Sequence, residues 1–172
     1  MADPDHINNI ERTLIDNLRN GRYNNVDGIA QGSAWASGSV KVFGQFPDPE
    51  ALEYPCIMLA QAANGVDEQF MGQAISPDTE PVGEIYGIGY TLHLTVDRDS
   101  AITVNGEVFK QRRLINYLML TCANVLMDTD YTATNTQVLD RNFTGWRDVG
   151  YAIESEVWGA SCGYIMTFKN DR

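Results

Sequence analysis

From Tyr86 to Asp97 the chain alternates without a break. Tyr86, Ile88, Tyr90, Leu92, Leu94 and Val96 are large and apolar, and Gly87, Gly89, Thr91, His93, Thr95 and Asp97 lie between them. Period-two alternation over about twelve residues predicts one β-strand, roughly 40 Å long, with a single buried face. A strand of that length belongs at the centre of the main sheet. The next helix in the chain is expected to pack on its apolar face, leaving Gly87, Gly89, Thr91, His93 and Thr95 on the other.

The flanking segments supply partners for it. Residues 4–19 read as a helix: Asp3 can cap it, Pro4 suits the first helical position, and Ile7, Ile10, Leu14 and Leu18 form one apolar stripe. Asn20-Gly21 provides its stop. Residues 21–39 are rich in Gly, Ser, Asn and Ala and predict a long loop or weakly structured arm. Residues 40–46 alternate as a strand, ended by Pro47-Asp48-Pro49. Cys56 to Ala62 reads as a strand buried on both faces. Residues 64–82 are expected to form an extended loop or β-arm that exposes Phe70 and Met71.

After the long strand, residues 102–106 read as a short extended piece or turn. A second helix is predicted from about Glu107 to Met127, with Val108, Gln111, Ile115, Leu118, Cys122 and Val125 on its inner stripe. Residues 128–146 are polar, with one short edge strand at Val138-Leu139 and a loop over 141–146. Two alternating strands, 149–158 and 162–169, then form a hairpin about Gly159-Ala160. The order is α-β-β-β-α-β-β. It predicts a single α+β domain over residues 1–172, a mostly antiparallel sheet with two helices packed on one face.

Charge narrows the function. The net charge is −11 and the only lysines are Lys41, Lys110 and Lys169. Such a balance argues against an electrostatic grip on nucleic acid. It fits either adaptation to high salt or an ordinary acidic cytosolic protein. No apolar run approaches the ~18 residues of a membrane helix. The first residues lack the basic and apolar regions of a signal peptide, so a protein made in the cytoplasm is expected.

Enzymatic constellations are missing from the sequence, and none is expected. His6 and His93 are the only histidines, and no Gly-x-Ser-x-Gly elbow occurs. His93 falls between two threonines on the polar face of the long strand. Asp97-Arg98-Asp99 and Asp128-Thr129-Asp130 lack the glycine and distal glutamate of a calcium loop and read as solvated turns. Cys56, Cys122 and Cys162 are far apart and sit in apolar stretches, so buried free thiols are expected rather than disulfides or a zinc site. Asn142-Phe143-Thr144 has the form of a glycosylation acceptor, a pattern too short to weigh alone. No cofactor or metal is expected.

One likeness covers most of the chain. Its pieces are Glu53-Tyr54-Pro55-Cys56-Ile57-Met58-Leu59, then Asn64-Gly65-Val66-Asp67-Glu68-Gln69-Phe70. The long strand ending in Val96-Asp97-Arg98-Asp99 follows, and then the amphipathic helix from near Glu107. In this order they resemble the tail-terminator (tail-completion) proteins of long-tailed bacterial and archaeal viruses. The likeness is one of pattern, and residues 21–39 are an addition to it. The resemblance implies a small α+β protein forming a ring, usually a hexamer, at the head–tail neck of the virion. Such a ring ends the tail tube and joins it to the capsid's head-completion or connector protein. Genomic DNA passes through the central channel without specific binding, and an acidic lining would let it slide. Assembly in the host cytoplasm and an archaeal, salt-loving host fit the composition. On this reading Asp67, Glu68, Gln69, Phe70 and Met71, with Thr91, His93 and Thr95, are the candidate contacts to neighbouring subunits or to the tail-tube protein. Two other readings stand beside it. One is a different virion component of similar build, a head-completion or tail-tube protein. The other is a small-molecule binding or hydrolytic domain that uses His93 with nearby acids.

Overall fold

The alternating segment is the middle strand of a five-stranded sheet. The computed structural model describes residues 4–22, 34–36, 38–44, 52–61, 83–131 and 136–171. Within these, the elements in chain order are α1 (Pro4–Asn20), β1 (Lys41–Phe43), β2 (Cys56–Gln61), β3 (Gly83–Asp97), β4 (Ala101–Val104), β5 (Glu107–Lys110), α2 (Gln111–Asp128), β6 (Thr136–Ala152) and β7 (Val157–Asp171). The sheet order is β1-β2-β3-β7-β6, and β4 and β5 form a separate two-stranded ribbon. All pairs are antiparallel except β1 with β2. This is the α+β architecture that the helix and strand periodicities predict.

The pleat of β3 divides the molecule. Ile88, Tyr90, Leu92, Leu94 and Val96 all point to one face and are buried. The register extends that face sideways: Leu59 and Cys162 flank Leu92, Ile57 and Ala160 flank Leu94, and Tyr164 stands opposite Tyr90. Across from it, α2 contributes Leu114, Ile115, Leu118, Cys122, Val125 and Leu126, and α1 contributes Ile10, Leu14 and Leu18, in one continuous core. Both helices therefore lie on the same side of the sheet.

α1 ends as its sequence predicts. Gly21 takes φ 54°, the Gly21 N–H donates to the Leu18 carbonyl at 3.2 Å, and the Arg22 N–H to the Asn17 carbonyl at 2.9 Å. That pair of bonds is a Schellman stop. A Cβ at position 21 would also come within 2.9 Å of Ala34 and the Trp35 ring, so glycine is required twice over. The Asp3 cap lies outside the described residues. The C-terminal part of the 21–39 segment is not a loose arm. Trp35 is buried, its indole N–H donates to the Arg19 carbonyl at 2.9 Å, and the Tyr117 hydroxyl donates to the Ala34 carbonyl at 2.9 Å.

Several boundaries differ from the sequence reading. Residues 107–110 are not helix. Asn105 (φ 51°) and Gly106 (φ 81°) form the two-residue left-handed turn that Asn-Gly favours, and it closes the β4–β5 hairpin. Gln111, at φ 49°, then passes directly into α2. The 141–146 segment is not loop either, and Gly159-Ala160 is not a turn. β6 runs from Thr136 to Ala152, residues 153–156 make the turn, and Gly159 and Ala160 pair with Thr95 and Leu94 inside the sheet.

Bulges hid β6 in the sequence. Its register shifts between Val138 and Asp140, between Phe143 and Trp146, and between Arg147 and Gly150. Gly145 (φ 83°) and Asp148 (φ 52°) take left-handed conformations inside the second and third shifts. Thr144 fills the gap left by the second. Its hydroxyl accepts from the Gly163 N–H at 2.9 Å and donates to the Gly163 carbonyl at 3.1 Å, taking over the interrupted ladder. The threonine of the Asn142-Phe143-Thr144 pattern thus has a structural task.

Two tyrosines paired across β3 and β7 give a clean test of this core. The Tyr164 hydroxyl donates to the Leu126 carbonyl at 2.8 Å, whereas the buried Tyr90 hydroxyl has no hydrogen-bond partner among the described residues. Removing the first hydroxyl leaves the Leu126 carbonyl with only a long bond from Arg141, at 3.4 Å, and removing the second relieves an unmatched polar atom. Tyr164→Phe is expected to lower stability by about 1–2 kcal/mol, while Tyr90→Phe is neutral or stabilises by up to about 1 kcal/mol. Urea melts of the two variants check the contrast. Equal losses would contradict it.

Candidate functional site

The face of the sheet opposite the helices holds the described part of the expected interface. Thr91, His93 and Thr95 alternate along β3 on that side, each half-buried. Registry fixes their neighbours. At the level of His93 a row crosses all five strands: Phe43, Met58, His93, Ser161 and Arg147. Beside it, Thr91 stands between Ala60 and Gly163, and Thr95 between Cys56 and Gly159. Gly87 and Gly150 have open space where a Cβ would be. Small residues on three adjacent strands therefore line up on either side of that row, with the Thr144 side chain standing over Gly163. Asp67, Glu68, Gln69, Phe70 and Met71 lie outside the described residues, as does the whole 64–82 loop.

The chemistry of this face is cohesive. The Ser161 hydroxyl donates to Asp148 Oδ2 at 2.9 Å. In a hydrolytic triad the imidazole stands between serine and carboxylate. Here the register places the serine between His93 and Asp148, and a carboxylate, a weak base, holds its proton. A Thr95 hydrogen bond to Cys56 acts on the thiol, but desolvation outweighs it and pushes the pKa up to about 11, with Asp97 adding to the rise. Burial likewise raises Cys162 to about 12, and raises Cys122 as well. Thiols held protonated at neutral pH are packing groups rather than nucleophiles. All three are free and buried, as their apolar surroundings predict.

The two acidic turns serve the chain itself. The Asp97 carboxylate accepts from the Ser100 N–H at 2.8 Å and from the Ser100 hydroxyl, closing the turn after β3. In the second, the Thr129 N–H and hydroxyl both donate to the Val125 carbonyl, at 3.0 and 2.6 Å. Among the described residues no three His, Cys, Asp or Glu side chains gather as a metal-binding set, and no helix is long and apolar enough to cross a membrane.

Two features escaped the sequence reading. One is Arg141, whose guanidinium reaches from β6 to the end of α2 and donates to the carbonyls of Leu126, Met127 and Thr129, the last at 2.6 Å. The other is the β6–β7 turn. Val149, Tyr151 and Ile153, the apolar positions at the start of the alternating 149–158 segment, are exposed, Ile153 by 81%. The available signal was their density, three apolar residues in five beside two glutamates. Behind them the Tyr151 and Trp158 rings meet tilted at 47°, with centroids 5.2 Å apart, and, with Arg98 and Gln111, line a hollow of about 230 Å³ against the start of α2. No protein-family model matches the chain, and no curated protein matches it.

Proposed function

We propose that this protein is a structural virion component, a tail-terminator ring at the head–tail neck of a long-tailed virus. In this reading the ring caps the tail tube, meets the capsid connector, and lets DNA pass through its centre. The observation that carries the reading is the face of the five-stranded sheet that no described helix covers. Its centre is lined by Thr91, His93 and Thr95 and bordered by Ala60, Gly159 and Gly163. Small side chains at Ala60 and Gly159 allow a second backbone surface to approach closely, whereas the Thr144 side chain already stands over Gly163. The element order of the neck-protein resemblance supports the same reading. The charge of −11 supports it too, because an acidic bore repels phosphate. The role requires no catalysis, and no enzymatic activity is proposed.

Thr91→Arg tests the assignment. The side chain is half-buried on a face with no helix over it among the described residues, so folding stability is expected to change by less than about 1 kcal/mol. Assembly, with other copies or with tail-tube protein, is expected to weaken at least tenfold. Light scattering and negative-stain microscopy of the wild type and variant read this directly. Normal assembly by Thr91→Arg would remove the interface role from this face. A wild type that stays monomeric, alone and with tail-tube protein, would remove the ring.

A further inference from the structure

We infer that the ring contact between neighbouring copies is a peg-and-stripe joint. The β6–β7 turn of one copy seats on the outward side of α2 of the next. This rests on the ring reading and adds the surface that repeats round it.

The sheet edges are poor candidates for that contact. β6 is one edge, and its three bulges leave no long run of regular pairing groups for another strand. β1, the other edge, is three residues long. Surface apolar residues then point to the joint. The turn presents Val149, Tyr151 and Ile153, exposed by 49, 42 and 81%. Three such residues within five at a hairpin end form a patch rather than scatter. A second apolar patch lies on α2. An amphipathic helix should be polar on its outer side. Yet Leu120 and Met127 are exposed there by 64 and 40%, in the helical line that begins at Arg112 and Asn116.

The two patches also match in charge. The turn carries the exposed acids Glu154 and Glu156, and the stripe begins with the exposed base Arg112. Glu156 faces Arg98 of its own chain at 4.0 Å, whereas neither Glu154 nor Arg112 has an ion pair among the described residues. Arg112 and Leu120 lie roughly 12 Å apart along the helix axis, so Ile153 can rest by Leu120 while Glu154 meets Arg112. A chain does not make this contact with itself. Its own turn lies beside Gln111, and Leu120 and Met127 are roughly 13 and 24 Å further along α2. The apolar part of the stripe, Leu120 and Met127, thus lies away from the chain's own peg, the arrangement that propagates head to tail and gives a ring where the rotation closes.

Ile153→Glu and Leu120→Glu test the joint, because each spoils one half and leaves the other intact. Both positions are well exposed, and circular dichroism melts check that the fold is kept. Ile153→Ser and Leu120→Ser repeat the test without added charge. The wild type is expected to show a mass of several chains by light scattering, and each variant the 19.1 kDa of one. Mixed in equal amounts, the two glutamate variants are expected to give a species of two chains and nothing larger, since one good peg meets one good stripe and the remaining halves are spoiled. Folded variants that keep the wild-type mass overturn the joint and leave the ring standing. A mixture that stays monomeric overturns the pairing of these two patches. A wild type that stops at two chains overturns the ring, and variants that are then monomeric keep the joint as a closed dimer contact. A wild type that stays monomeric, alone and with tail-tube protein, overturns both.

Discussion

Leu92→Asp yields a chain that does not fold. Leu92 has no exposed surface and sits midway along β3, between Leu59 on β2 and Cys162 on β7. Truncating such a leucine to alanine alone costs about 2–5 kcal/mol. Aspartate adds the transfer of a carboxylate into an apolar layer with no cation to meet it, which costs several kcal/mol more even when the group takes up a proton. The sum reaches the whole stability of an ordinary domain, about 5–15 kcal/mol. The expected result is an unfolded circular dichroism spectrum with no cooperative thermal transition at neutral pH. Leu92→Met, close in volume, is expected to fold and to lose less than about 1.5 kcal/mol. A cooperative melt for Leu92→Asp near the wild-type midpoint would mean that β3 is not the spine of the core.

Arg141→Met is expected to cost about 3 kcal/mol, most of it at the last turn of α2. A helix end leaves up to four carbonyls without partners. α2 has no basic residue in its last turn, and its C-cap, Thr129, is in an extended conformation rather than a left-handed one. The missing donors come from the sheet, from Arg141 to three carbonyls and from Tyr164 to the Leu126 carbonyl. A hydrogen bond from a charged donor contributes about 1.5–3 kcal/mol, and a cation at a partly buried helix C-terminus up to about 2. These overlap, so the total lies below their sum. Arg141 also stands 5.7 Å from the Tyr131 ring centroid, which ties down the chain leaving α2. Arg141→Lys keeps the charge but loses the planar fork, and is expected to fall between wild type and Arg141→Met. Urea midpoints give the size of the loss, and amide exchange of residues 125–129 gives its place. A loss below about 0.5 kcal/mol, or one spread evenly over the chain, would contradict the capping role.

Much of this architecture is legible in the sequence because it depends on periods. The alternation of β3 and the three- and four-residue spacing in α1 and α2 report which side of each element is buried. That depends on side-chain direction and not on distant contacts. The Schellman stop at Gly21 and the left-handed turn at Asn105-Gly106 are equally local, since each needs a backbone conformation that few residues tolerate.

What the tertiary structure alone decides begins where a period breaks. In β6 the residues turned toward the core are Val138, Arg141, Phe143 and Trp146, spaced by three, two and three. Each bulge inserts one residue and resets the alternation, so a continuous strand imitates a loop. Residues 149–153 fail in the opposite way. They keep a perfect alternation in sequence, but Val149 falls in the third bulge and Ile153 in the turn, and all three apolar residues meet solvent. No sequence period carries the information that Arg141 would meet the end of α2, that Ser161 would lie between His93 and Asp148, or that small residues of three strands would line up across one face. Those are consequences of registry between distant segments. The chain by itself determined that a long, one-sided strand would be the spine of the fold. Pairing across the sheet decided which of its neighbours would join the core under the helices and which would lie on the opposite face.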